Sequence, residues 1–200
     1  MSLWLIIPIR GLASGKSRLA DILSPLERKQ FNTACLDRAL DAFSQTQGTP
    51  ARSIVVSPED DALAHAGARG AVALREHSVG NLNGALLQAS DLARQKGAAR
   101  LLILAADLPL ISAQALTALI NSSDPAGVQI IVDKTGSGTN ALLLPVSAAQ
   151  QFYFGENSLS KHRAVFTELG YRTTIWRDDS LAFDIDTPED LGCWLELKLS

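Results

Sequence analysis

The sequence predicts an α/β protein in three layers, a mostly parallel sheet with helices on both faces. Three observations carry that prediction. Short apolar runs alternate with helix-period segments from one end of the chain to the other, as βαβ units require. The run Leu101-Leu102-Ile103-Leu104-Ala105-Ala106 is apolar throughout, ends in Asp107 and is closed by Pro109, which marks a short strand covered on both sides. No internal repeat or low-complexity linker interrupts the 200 residues, so residues 1–200 read as one domain.

Each element follows from local signals. Leu3 to Ile9 reads as the first strand, and after a loop Ser17 to Leu23 begins a helix. Ser24-Pro25-Leu26-Glu27 then supplies an N-cap, a proline at the first helical position and a capping-box glutamate, starting a helix to about Phe43. Arg52–Val56 is a strand, and Ser57-Pro58-Glu59-Asp60 repeats the same start chemistry. Ala71–Leu74 is a short strand, Leu82–Gln95 an apolar-periodic helix, and the run ending in Asp107 comes next. Ser112 caps a helix to about Ile120. Val128–Val132 and Ala141–Leu144 are strands flanking a glycine-rich loop. Ser158–Leu169 is a helix, Thr173–Trp176 a strand, and Pro188–Leu197 a closing helix capped by Thr187.

Composition narrows the function. A net charge of −3 argues against a nucleic-acid partner held by a basic surface. No apolar run approaches the ~18 residues of a membrane span. The chain enters Leu3–Ile9 without a basic region or a small-residue cleavage site, so no secretion signal is expected. Cys35 and Cys193 lack metal-ligand spacing, and Cys35 falls among the apolar positions of its helix as a small core residue. A cytoplasmic, reducing setting is the expectation.

The chemistry-bearing residues lie mostly in loops. Asp107 sits at the carboxyl end of the strand that begins at Leu101, where open α/β sheets bind ligands. A carboxylate there needs a positive partner, and Mg²⁺ with a phosphate attached suits it. Gly11-Leu12-Ala13-Ser14-Gly15-Lys16-Ser17 imitates a P-loop but has three residues between its glycines instead of four, with Arg10 where the first glycine belongs. The loop still leads into a helix start beside Arg10, Lys16 and Arg18, a setting that suits anionic phosphates. In Lys134-Thr135-Gly136-Ser137-Gly138-Thr139-Asn140, glycines permit close backbone approach and Thr139 can donate to an oxyanion, although a long hairpin turn has the same composition. Gly155 and Ser158 lead into a helix as a second anion site or as ordinary capping, and His162 one turn on reads as a packing or surface histidine. Asp184 and Asp186 alternate with apolar neighbours, so in a strand both face one side. With Asp107 they form a three-carboxylate pocket for hard cations, while Glu189 and Asp190 cap the helix that follows.

These residues together resemble the phospholactate guanylyltransferase family. The resemblance rests on Ala106-Asp107-Leu108-Pro109, Gly138-Thr139-Asn140-Ala141-Leu142, Phe154-Gly155 through Ser158 to His162, and Asp184-Ile185-Asp186-Thr187-Pro188-Glu189-Asp190-Leu191. Lys16-Ser17-Arg18-Leu19 and Leu82-Asn83 with Ala85-Leu86 extend it across nearly the whole chain. It implies a nucleotidyltransferase fold of the nucleotide-diphospho-sugar-transferase type. It also implies GMP transfer from GTP to the phosphate of a small phosphorylated acid (2-phospho-L-lactate, phosphoenolpyruvate or 3-phospho-D-glycerate) in coenzyme F-420 biosynthesis. Asp107, Asp184 and Asp186 would then hold Mg²⁺. Arg10, Lys16 and Arg18 would neutralise the triphosphate, with Arg10, Lys16 and Asp107 acting in catalysis. Asn83 would lie near the guanine, and Thr139, Gly155 and Ser158 would hold the acceptor's phosphate. Arg10 stands where the family pattern has lysine, which keeps the charge but changes its geometry. The alternatives are another nucleotidyltransferase of this fold, of molybdopterin or sugar-phosphate type, a P-loop-like ATPase or kinase, and a non-catalytic nucleotide-binding module. The sequence leaves the quaternary structure open, a symmetric homodimer being one state that small α/β enzymes often adopt.

Overall fold

In the computed structural model, which describes residues 2–199, seven strands form a single sheet. They are β1 (Leu3–Pro8), β2 (Ser53–Ser57), β3 (Val72–Arg75), β4 (Arg100–Leu104), β5 (Val128–Val132), β6 (Thr139–Pro145) and β7 (Thr173–Trp176), in the order β3-β2-β1-β4-β6-β5-β7. All neighbours pair in parallel except β6, which runs antiparallel to both β4 and β5. The glycine-rich loop at residues 133–138 is therefore the turn of a hairpin inserted into a parallel sheet. Seven helices cover the faces: α1 (Pro25–Gln47), α2 (Asp60–Ala68), α3 (Leu82–Gln95), α4 (Ala113–Ser122), α5 (Ser158–Glu168), α6 (Asp179–Ala182) and α7 (Pro188–Leu199).

The period-two alternation of the central strands assigns side chains to two cores. Leu5, Ile7, Leu102 and Leu104 join Leu36, Leu40 and Phe43 of α1 on one face. Trp4, Ile6, Leu101 and Ile103 join Leu86 and Ala89 of α3 and Phe166 of α5 on the other. Full burial of a Leu or Phe contributes ~1.5–3 kcal/mol, so these layers hold the strand ends in place. A third cluster of Leu19, Phe31, Cys35, Ile185 and Leu191 docks the C-terminal segment on α1, with Trp194 edge-on to Phe31 at 5.4 Å.

The capping box at Ser24 forms, its side chain accepting from Glu27 N while Glu27 accepts from Ser24 N. Several boundaries differ from the sequence reading. α1 runs on to Gln47 and stops where Gly48 adopts φ 75°. No helix forms over 17–23; Ser17–Leu19 is a single 3₁₀ turn, because Lys16 enters it with φ 57° and α1 begins at Pro25. Glu59, not Ser57, precedes α2, and Ser57 Oγ instead accepts from Glu59 N while donating to Arg10 O. Residues 183–186 are not a strand. Their backbone is held by other groups: Lys134 Nζ donates to Asp184 O, Ile185 N donates to Asp107 O, and Asn140 Nδ2 anchors the carbonyls of Leu181 and Ala182.

Candidate active site

The site forms at the carboxyl ends of the paired neighbours β1 and β4. β4 ends at Leu104, and Asp107 follows three residues later in a turn rather than on the strand itself. A cleft of about 330 Å³ lies here, lined by the 8–11 and 15–18 segments, the 103–107 strand end, Phe154 and Asp186. Its floor is an ion-pair bridge. Lys16 Nζ donates to Asp107 Oδ2 and, at 3.0 Å, to Asp186 Oδ1. The ammonium is nearly enclosed, its side chain 9% exposed. Burial alone would lower the Lys16 pKa, but the two carboxylates outweigh it and raise it above its ordinary value. Arg18 Nη1 approaches Asp186 Oδ2 at 3.7 Å from the solvent side, and Arg10 stands exposed at the rim.

The loop carrying Lys16 is held by contacts that sequence patterns did not single out. Asp61 of α2 accepts from Leu12 N and Ala13 N. Buried Asn32 of α1 donates to Leu12 O at 2.8 Å, and Arg28 donates to Gly15 O. A Cβ on Gly15 would meet Asn32 Nδ2 at 2.8 Å and Gly11 O at 2.9 Å, so only glycine fits. A left-handed lysine costs on the order of 1 kcal/mol, which the two carboxylate contacts of Lys16 offset. The same contacts exclude phosphate wrapping of the P-loop kind, since the amides of Leu12 and Ala13 already serve Asp61.

The second acidic segment is tied to the hairpin turn. Lys134 Nζ reaches Asp190 Oδ1 at 2.7 Å, Asp184 O at 2.6 Å and Asp184 Oδ1 at 3.6 Å. Asp190 accepts in turn from Asp186 N and Thr187 N, each at 2.9 Å. Against the effect of burial, these donors hold the Asp190 carboxyl down at about 2. Asp184 shifts the other way: burial raises its pKa, Lys134 opposes, and the nearby charges of Asp107 and Asp186 raise it further. Its Oδ1 is buried and makes no hydrogen bond. Among the described residues no three His, Cys, Asp or Glu side chains close on one point as a ready metal site. The space between Asp107 and Asp186 holds the Lys16 ammonium instead.

The remaining predicted residues lie along the β6–α5 side. Asn140 O accepts from Ala105 N, which sets the start of β6 beside the Asp107 turn. Thr139 is buried, with His162 Nδ1 3.2 Å from its Oγ1. Tyr153 N donates to His162 Nε2, so the ring proton resides on Nδ1 and points at Thr139, leaving the threonine its own proton to donate. His162 is fully buried among Phe154 and Phe166, and desolvation lowers its pKa to about 4. It is a neutral structural clamp. Ser158 is buried as the first residue of α5, behind an Asn157 at φ 54°, and Gly155 is exposed at φ 118°. Asn83 spends both amide atoms on the Phe154 backbone, accepting from its N at 2.9 Å and donating to its O at 3.3 Å.

Comparison with known proteins decides the family. The family model described as "Guanylyl transferase CofC like" matches residues 3–197. The chain belongs to the CofC-like guanylyltransferase family. It is 39% identical over 186 residues to a protein named phosphoenolpyruvate guanylyltransferase from Sphaerobacter thermophilus, covering 93% of this chain and 89% of that one. It is 33% identical over 187 residues to one named 2-phospho-L-lactate guanylyltransferase from Methanothermobacter thermautotrophicus, covering 94% and 81%. Among solved structures, a nucleotidyl transferase from Methanothermobacter superposes with a TM-score of 0.70 at 16% identity, covering 99% of this chain and 98% of the other, which shows the shared fold. As a guanylyltransferase, the enzyme must bring anionic reactants together, and Lys16, Arg10 and Arg18 form the cationic part of its cleft. Asn32, Asp61, Lys134 and the capping role of Asp190 toward the Asp186 amide complete the site. Asn32 left one sequence signal, a polar side chain on an otherwise apolar helix face.

Proposed function

We propose that this guanylyltransferase transfers GMP from GTP to the phosphate of a phosphorylated three-carbon acid, releasing pyrophosphate, as a step of coenzyme F-420 biosynthesis. The observation that carries the reading is the Lys16 ammonium set between Asp107 and Asp186 on the cleft floor. A phosphate nucleophile is already an anion and needs no general base. The barrier lies in bringing several negative charges together, so positioning and electrostatic stabilisation dominate catalysis. Lys16 and Arg10 bind the α- and β-phosphates, and Arg18 meets the departing pyrophosphate. Thr139, Gly155 and Ser158 hold the acceptor's phosphate, and His162 keeps the Thr139 hydroxyl oriented for it.

Asp107, Asp184 and Asp186 fit Mg²⁺. Their oxygens are hard donors, and buried Asp184 Oδ1 lacks a hydrogen-bond partner while burial, joined by the charges of Asp107 and Asp186 and opposed by Lys134, disfavours its ionisation, a deficit that a cation relieves. Mg²⁺ commonly binds through one or two carboxylates plus substrate phosphates, so a preformed three-ligand cage is not required. The ion supplies charge neutralisation at the phosphates. Asp107→Asn is expected to leave the fold intact, read by circular dichroism, and to abolish acceptor-dependent pyrophosphate release. Assays pairing GTP, ATP and CTP with phosphoenolpyruvate, 2-phospho-L-lactate and 3-phospho-D-glycerate then identify donor and acceptor. Near-normal turnover by Asp107→Asn sinks the metal assignment; no acceptor-dependent release from GTP sinks the whole reading.

A further inference from the structure

The cleft above Lys16 continues into a second hollow of about 370 Å³, the two sharing Pro8, Ile9, Arg10 and Leu82. Its further walls include Val56, Pro58, Val79 and Ala85. Among the described residues only two charged side chains line it, Arg10 on the side shared with the first cleft and Glu76. The walls are mostly apolar, as the face of a purine base requires. Glu76 is held in place: its N donates to Ser57 O at 3.0 Å and its Oε1 accepts from Asn81 N at 3.1 Å. Asn81 in turn caps α3 through Gly84 N, and Gly80 at φ 84° makes the turn between them. A carboxylate has about four lone-pair positions, so the Asn81 bond leaves most of the accepting capacity of Glu76, a lining residue of the hollow, unused. The Asn83 amide, by contrast, is spent on Phe154.

We infer that Glu76 selects guanine. Guanine presents two adjacent donors, N1–H and the 2-amino group, which a carboxylate accepts as a pair of charge-assisted hydrogen bonds. Adenine presents an unprotonated N1 and no 2-amino group, so its lone pair faces the carboxylate and the purine is rejected. Cytosine, with N3 as an acceptor, is rejected by the same repulsion and fills less of the apolar slot. The base occupies the second hollow while its triphosphate passes Arg10 toward Lys16. This inference rests on GTP being the donor.

The test compares GTP, ATP and inosine triphosphate, which keeps N1–H but lacks the 2-amino group, in pyrophosphate-release assays on the wild type, Glu76→Gln and Glu76→Ala. The Gln amide oxygen still accepts from Asn81 N, and melting temperatures confirm that the fold is retained. The wild type is expected to prefer GTP over inosine triphosphate. In Glu76→Gln, kcat/KM for GTP is expected to fall about 10- to 100-fold, carried by KM, with the preference over inosine triphosphate collapsing toward one. Unchanged GTP-to-inosine ratios in both variants, with wild-type enzyme active on GTP, overturn the assignment of Glu76 alone. Wild-type enzyme that releases pyrophosphate from another nucleotide and not from GTP overturns both this inference and the guanylyl reading.

Discussion

At the scale of single residues, the site depends on groups whose protonation is fixed by their surroundings. His162 is the sharpest case. Fully buried, with its pKa lowered to about 4 by desolvation, it stays neutral while an unfolded histidine titrates near 6.5. Between those values the unfolded chain binds more protons, so stability rises with pH and is lost on acidification from about 6.5 to about 4. The loss is on the order of 3 kcal/mol when complete. Urea midpoints measured across that window should slope in the wild type and flatten in His162→Gln; parallel slopes would remove histidine as the cause. Lys16 behaves oppositely, its ammonium held charged by Asp107 and Asp186. Lys16→Met leaves those carboxylates facing each other without their shared cation. GTP affinity by calorimetry is expected to drop at least tenfold, and retained affinity would separate Lys16 from phosphate binding.

Between elements, the β5–β6 turn and the start of α7 act as one unit through Lys134. The contact joins residues 50 and 56 positions apart, and it positions Asp184 and Asp186 by way of the Asp184 carbonyl and the Asp190 cap. Lys134→Met is expected to destabilise the chain by about 1–3 kcal/mol, the usual cost of orphaning a partly buried charged group. It should also release Asp190 from its depressed pKa, which carbon-detected NMR titration reads directly. Lys134→Arg is expected to recover part of both, and an unmoved Asp190 titration would show that Lys134 does not hold it. The sequence displayed the 134–140 loop as chemical by composition, yet its glycines gave no hint that the lysine at its head would reach residue 190. Likewise Asp184 and Asp186 were visible as a pair, but as strand residues. The segment is irregular because Asn140, Lys134 and the Asp107 carbonyl satisfy its backbone instead of a neighbouring strand.

Taken as a molecule, strands from both halves of the chain join in one sheet, the β3-β2-β1-β4 block hydrogen-bonded through the β4–β6 pair to β6-β5-β7. Thermal unfolding followed by far- and near-ultraviolet dichroism is therefore expected as one coincident transition; two separated transitions would divide the chain into independent units. Local chemistry was enough to read most elements: apolar runs with no polar face had to be covered strands, and caps such as Ser24 and Ser112 act within one turn of themselves. The order of elements and the motif at Asp107 likewise carried the family. Contacts over long sequence separation were invisible beforehand. The antiparallel course of β6, the Asp61 and Asn32 hold on the Lys16 loop and the Asp107–Lys16–Asp186 bridge each join residues that share no local pattern. By itself the sequence determined the kinds of element and the inventory of charges, since period and capping are short-range. Only the tertiary structure decided which charges meet, because that is set by how two apolar layers pack on one sheet.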